Sequence, residues 1–343
     1  MDTMNGSLPN RFVQSVIRYL DETRRAFTTV LIGTITLAGI HGCDSLAQTY
    51  PTRPLTLVAP STPGSAPDVL SRIVAMRLSE QLGQQVIVSN RPGAGTNIGS
   101  QAVAQAQPDG YTILLGSIAN TLNPHIMRVN YRVEDFSPIS SVAAAPDILV
   151  VHPSVNAATV ADLIAQIRSN PGMPAGHAGL GTTPHLSLEL FRRAANIEVT
   201  MVPFKGGGEA QQGILSGQVP FMFATTIGVL PRVRANQLRA LAISSATRLS
   251  AAKDIPTLDE SGLAGFDVVA WFGLFAPGGT PSEIIERLSR ETRAALSSPD
   301  TRKRLIELGA EPLGSTPAEF AAYVNREYLR WQKFSRDTSL RAE

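Results

Sequence analysis

From Tyr50 onward, short apolar runs rich in β-branched residues alternate with longer amphipathic ones, and this alternation limits the possible folds more than any other feature of the chain. Short buried runs suit strands, and apolar residues at three- and four-residue spacings suit helices packed over them. The pattern therefore predicts an α/β fold with a largely parallel sheet. Strands are expected at 55–59, 85–89, 112–115, 148–151, 199–202, 219–224 and 238–243. Helices are expected at 68–82, 98–106, 160–169, 185–195, 210–215, 283–296 and 317–333. With 343 residues, 43% of them hydrophobic, the chain can fill two cores.

Two apolar runs ending in proline, 148–153 and 269–277, bracket a self-sufficient set of strands and helices. The expected layout is a first lobe over 50–148 and 271–343 and a second over 149–270. Two crossing segments, near Val150 and Trp271, would then form a hinge beside a cleft.

The loop Pro60-Ser61-Thr62-Pro63-Gly64-Ser65-Ala66-Pro67-Asp68 joins the first strand to the first helix. Pro67 suits the first helical position, which makes Ala66 the N-cap. Alanine has no side-chain oxygen to offer the Asp68 and Val69 amides, so this helix start would be open to an anion. In a second reading, Ser65 or the Asp68 carboxylate folds back and caps the turn. The same succession of strand, small-residue turn and helix start recurs at 116–124, which contains Ser117 and Asn120. It recurs again at 178–185, which contains Gly181, Thr182, Thr183 and His185, and at 203–208. In open α/β sheets such loops gather at the carboxyl ends of strands, where ligands bind.

Other chemistries find no support. Thirty basic and twenty-eight acidic residues leave a net charge of +2 with no basic stripe, which argues against nucleic acid. The run Gly93-Ala94-Gly95-Thr96-Asn97-Ile98-Gly99 misses the dinucleotide fingerprint, Lys205 belongs to no phosphate-binding loop, and no Gly-x-Ser-x-Gly elbow occurs. His125, His152, His177 and His185 lack zinc-site spacing. No cofactor, metal or catalytic constellation is read from the chain.

Residues 1–47 have the order of an export signal. Arg24-Arg25 precedes about 14 mostly apolar residues, too few to span a bilayer, and Ser45-Leu46-Ala47 has the small-x-small form of a cleavage site. The arginine pair also resembles a twin-arginine motif. Ile40-His41-Gly42-Cys43, which holds the only cysteine, offers lipid anchoring as an alternative, and Met4 is an alternative start. Cleavage after Ala47 leaves no thiol and hence no disulfide.

Several motifs then converge. Tyr50-Pro51-Thr52-Arg53-Pro54-Leu55, Pro60-x-x-Pro63-Gly64-x-x-x-Asp68, Asn90-Arg91-Pro92-Gly93-Ala94-Gly95, Pro108-Asp109-Gly110-Tyr111-Thr112, Val202-Pro203-Phe204-Lys205-Gly206-Gly207-Gly208 and Trp271-Phe272-Gly273-Leu274-Phe275-Ala276-Pro277 resemble, in that order, the substrate-binding proteins of tripartite tricarboxylate transporters, the Bug family. The resemblance implies a two-lobed periplasmic binding protein of the type II, Venus-flytrap kind, not an enzyme. It would close on a small carboxylate-bearing solute and deliver it to a membrane permease.

The family's ligand loops carry over onto Ser61, Gly64, Ser65, Ala66 and Asp68, onto Ser117 and Asn120, and onto Gly181, Thr182, Thr183 and His185, with Ala224 at a strand end and Trp271 near the hinge. Ser61 stands where the family usually has an aromatic residue, and Ser65 and Pro67 where smaller ones are commoner; Ala224 stands where an acidic residue is frequent, and that departure disfavours an amino-acid ligand. Two alternatives remain at this level. One is a periplasmic hydrolase or isomerase using His185 with Ser117 or Thr182, and the other is a sensor subunit of the same fold. The mature protein is expected to begin at about Gln48. N-terminal sequencing of material from an exporting host checks this, and a lipid on Cys43 would reverse it.

Overall fold

The computed structural model describes residues 50–338; the expected export signal, Cys43 and the alternative start at Met4 lie outside the described residues. The chain opens with β1 (Leu55–Ala59), α1 (Ala66–Leu82), β2 (Val86–Asn90), α2 (Asn97–Ala104), β3 (Thr112–Ser117) and α3 (Ala119–Ile126). Next come β4 (Phe136–Val151), α4 (Val160–Ser169), β5 (Met173–His177), α5 (Thr183–Ala194), β6 (Val199–Pro203), α6 (Gly207–Leu215), β7 (Phe221–Thr225), α7 (Thr226–Arg234) and β8 (Arg239–Ile243). The chain returns through β9 (Val269–Pro277), α8 (Ser282–Ser297), α9 (Pro299–Glu307), β10 (Glu311–Pro312) and α10 (Pro317–Thr338).

The two halves repeat one arrangement. β1 lies between β2 and β3, parallel to both, and β5 lies between β6 and β7 in the same way. Right-handed crossovers through helices make such parallel triplets, and they send every strand-to-helix loop to the same edge. The triplets are joined by β4. Its first part runs antiparallel to β9, from Phe136 opposite Pro277 to Pro146 opposite Val269. From Asp147 onward it pairs instead with β7, and from Ile148 also with β8. Because β9 also pairs with β3, the strands follow the order β2-β1-β3-β9-β4-β7-β5-β6, with β8 and β10 both on β4. The result is a two-lobed α/β protein with a mixed sheet, parallel within each triplet and antiparallel across the junction. The expectation of a largely parallel sheet is corrected to that extent.

The chain crosses between the triplets at Pro146 and Asp147 and returns along the segment after β8. There Ser244 donates its amide to the Asp147 carbonyl at 2.9 Å, and Val268 donates to the Ser244 carbonyl at 2.8 Å. Val150 and Trp271, near which the crossings were expected, follow these points by a few residues on β4 and β9.

Several elements escape the sequence patterns. Only the end of β4 was expected, because Pro138 and Pro146 interrupt its alternation, and its register against β9 shifts twice. β5 carries Pro174 and Gly176, both poor strand formers, yet glycine is needed there: a Cβ at Gly176 would lie 3.0 Å from the Val219 side chain and 3.3 Å from the Phe204 ring. Helices α3 and α7, absent from the expected set, contain Pro124 and Pro231.

On β9, Trp271, Gly273 and Phe275 share the face that packs on α10. Rings of Trp271 and Phe275 lie 5.9 and 5.0 Å from that of the buried Phe320. A Cβ at Gly273 would come within 2.0 Å of Phe320. Gly273→Ala is therefore expected to destabilise the protein by about 1–3 kcal/mol through overpacking, and Phe320→Leu in the same chain to recover part of that loss. Chemical denaturation of the single and double variants checks this.

Candidate functional site

The carboxyl ends of both triplets face one cavity, narrow as it stands, with about 50 Å³ open to the centres of water-sized spheres. From the first triplet it is lined by Ser61, Ser65, Ala66 and Pro67 after β1, by Thr96 before α2, and by Ser117 at the end of β3. The second triplet contributes Ala178, Thr182, Thr183 and Pro184 around the start of α5, Gly207 and Gln211 from α6, Met222, Ala224 and Thr225 from β7, and Gly228 from α7. Phe272 of β9 completes the lining, opposite Ser117 across the strand pair. Among the described residues, no acidic or basic side chain is part of it.

The helix starts explain how an uncharged wall can still be polar. Helix α1 is capped after all: its N-cap is Ser65, not Ala66, and the Ser65 hydroxyl accepts the Asp68 amide at a long 3.4 Å. Of the two readings of this turn, the alanine cap is thereby corrected and the Ser65 cap holds, since Pro67 is satisfied as the second helical residue as well as the first. The open starts are found elsewhere. At α5 and α7 the N-cap residues are Thr182 and Thr225, which would normally accept amides from the first turn. Neither does so. Thr182 donates its hydroxyl to the Gly179 carbonyl at 2.6 Å, and Thr225 donates to the buried Asp147 carboxylate at 2.9 Å. The first-turn amides are left without a side-chain cap where they meet the cavity, and the positive ends of the helix dipoles point the same way.

Of the residues singled out in the sequence, Ser61, Ser65, Ala66, Ser117, Thr182, Thr183 and Ala224 meet at the cavity. Six others do not line it, and each holds the wall from behind. Asp68 accepts from the Gly64 amide at 2.9 Å, from Asn90 at 3.0 Å and from Arg72 at 2.9 Å. Burial pushes its carboxyl up, but these donors together hold it below the usual carboxylate range. Gly64 supplies a positive φ of 79° for the turn. Asn120 accepts from the Ser117 amide at 2.9 Å and donates to Ser100 at 3.0 Å. Gly181, at φ 71°, leaves room for Asn123, whose Oδ1 would lie 1.7 Å from a Cβ there.

His185 accepts the Gly181 amide on Nδ1 at 3.3 Å, as His177 accepts that of Gly179, and the two rings lie 4.8 Å apart. Burial lowers both pKa values, to about 4 for His177, so this pair stays neutral and shapes the loop between β5 and α5. Trp271 faces the aromatic cluster under α10, and the next residue, Phe272, takes the cavity side, as strand alternation requires. Thr225, Gln211, Met222, Gly228 and Phe272 were missed in the sequence. The one usable signal was Thr225-Thr226 directly after an apolar strand, the same pattern that marked the other loops.

Residues 70–340 match the family model described as "Tripartite tricarboxylate transporter family receptor". The chain belongs to that receptor family. It is 37% identical over 309 residues to the protein BugT of Bordetella pertussis, an alignment that covers 89% of this chain and 94% of BugT. Among solved structures it is similar to the periplasmic binding protein BugD at 30% identity, with a TM-score of 0.83 over 86% of this chain and 100% of that one. An R. palustris protein solved with adipate matches at 35% identity and a TM-score of 0.81, over 84% and 97% of the two chains. MatC of Rhodopseudomonas palustris, solved with bound malate, matches at 32% identity and 0.77, over 83% and 99%. The fold class is thus that of periplasmic binding proteins, and this receptor is a solute-binding protein, not an enzyme.

Behind the cavity of this receptor, Asp147 is fully buried where β4 passes from one triplet to the other. It accepts from Ser187 at 2.8 Å and from Thr225, and its own amide donates to Ser244 at 2.8 Å. Burial pushes its pKa up to about 7 against the pull of the two hydroxyls. A carboxyl with a raised folded-state pKa contributes stability that is fully present below about pH 4 and is lost as the pH rises toward 7. Relative to the wild type, Asp147→Asn should therefore gain stability as the pH rises from about 4 to 7, by up to roughly 4 kcal/mol. Urea unfolding of both proteins across that range is the check, and a constant difference would show that Asp147 is not protonated in the fold.

Proposed function

We propose that this chain captures a small solute bearing one or more carboxylates in the cleft between its lobes, in the periplasm, and delivers it to the membrane permease of a tripartite tricarboxylate-type transporter. The observation that carries the reading is the convergence of uncapped helix starts, at α5 and α7, on a cavity without a charged side chain. Oriented amides at helix N-termini supply donors and a positive potential matched to a carboxylate, and they do so without a lysine or arginine. The first lobe adds Ser61, Ser65 and Ser117, so that a molecule with two acid groups could be held from both sides. Adipate and malate, found in two related structures, are of that kind.

The proposed contacts are Ser61, Ser65, Ala66, Ser117, Thr182, Thr183, Ala224 and Thr225, with Phe272 and Met222 against the carbon skeleton. Ala224 leaves an ammonium group without a counter-charge, so a plain or hydroxylated acid suits the site better than an amino acid. The lobes are taken as 50–148 with 271–343, and 149–270.

Thermal melting with a panel of dicarboxylates, tricarboxylates, aromatic acids, amino acids and neutral sugars tests the proposal. An acid at a hundred times its dissociation constant should stabilise the protein by about 2.7 kcal/mol, a shift of several degrees. Thr183→Ala should weaken binding by about 0.5–1.5 kcal/mol, and Lys205→Ala, outside the cavity, should leave it unchanged. Stabilisation by sugars alone, or loss of acid binding in Lys205→Ala with the fold intact, would defeat the proposal.

A further inference from the structure

Helix α6 starts with no cap of its own. Its N-cap is Gly206, and two more glycines follow, so its own start offers no side-chain oxygen at that position. The acceptor comes from across the cleft. Thr62, in the loop after β1, takes the Gly208 amide on Oγ1 at 3.0 Å and the Glu209 amide at 3.3 Å. One turn further along α6, Gln211 reaches into the same loop and donates to the Gly64 carbonyl at 3.3 Å. The glycines allow this approach. A Cβ at Gly208 would lie 2.0 Å from the Pro63 carbonyl oxygen, and one at Gly206 would lie 2.7 Å from the Ser61 hydroxyl. The loop thus has two faces: Ser61, Ser65 and Ala66 line the cavity, and Thr62 and Pro63 carry the second lobe.

We infer that Thr62 and Gln211 are positioning residues that latch the two lobes together, Thr62 by capping α6 across the cleft for as long as the cleft is closed. A solute held by Ser61 and Ser65 would order the loop that α6 docks on, and the cap would then slow its escape. This second step rests on the reading of the cavity as a carboxylate site; the cap itself does not. When the lobes separate, the Gly208 and Glu209 amides pass to water and α6 loses the threonine acceptor. Thr62 is the sharper probe of the two, because it does not line the cavity, whereas Gln211 does.

Thr62→Val keeps the shape and removes the acceptor, while Thr62→Ser keeps the hydroxyl. Release of adipate or malate is followed by stopped-flow displacement. The valine variant should release acid about three- to tenfold faster, the scale of losing one helix cap, with little change in the association rate, and the serine variant should stay near the wild type. Equal release from all three proteins would overturn the latch. If neither acid binds, the reading of the cavity is decided by the wider acid panel, and the latch is judged on ligand-free protein by hydrogen exchange. Faster exchange at the Gly208 and Glu209 amides in Thr62→Val, restored in Thr62→Ser, supports it, and equal exchange in all three rejects it.

Discussion

A single strand that belongs to both halves of the sheet determines how the rest is arranged. Because β4 pairs with β9 up to Pro146 and with β7 from Asp147, the two parallel triplets are held in a fixed succession. Their carboxyl ends are turned toward a common space. Parallel strands always deliver their helix starts to that end. Once β4 sets the two triplets against each other, the loops after β1, β3, β5 and β7 have to meet. The cavity follows from the topology, and the residues in those loops decide only what it prefers to hold.

What they decide is done largely through the backbone. Serine, threonine, glycine and alanine dominate the wall, and the charged and ionisable groups nearby are occupied behind it. Asp68 ties the turn before α1, the neutral histidine pair shapes the loop before α5, and Asp147 draws the Thr225 hydroxyl away from the start of α7. The residues that look most reactive in the sequence are therefore those that shape the wall without touching its contents. A chemically minded reading is drawn to carboxylates and imidazoles, but here their role is to aim amides.

This also explains how far the sequence could be read. The alternation of strands and helices, the loops at the cavity and the two-lobed class were legible, because apolar periodicity and small-residue turns are local signals. Most of β4, all of β5, and α3 and α7 were not. Their prolines and glycines contradict local propensity, and at Gly176 the reason is tertiary, since the Val219 and Phe204 side chains occupy the space a Cβ would take. The displaced cap at α1 turned on one residue: Pro67 fits two adjacent helical positions, and only the backbone at Ser65 distinguishes them. Gln211 and Phe272 lie on a helix and a strand instead of a loop, where no turn signal could point to them.

The uncharged wall of the cavity has a consequence for the conditions in which the receptor can work. A site built on arginine or lysine owes its attraction to mobile side chains that salt screens and competing anions occupy, and one built on histidine changes its grip with acidity. Peptide dipoles do not titrate, and they are fixed by the helices that carry them. A wall of this construction presents the same field whatever the ionic strength, and over the range of acidity in which Asp147 behind it keeps its proton. Its selectivity is then written in distances and shape, and it changes by moving backbone instead of exchanging charges.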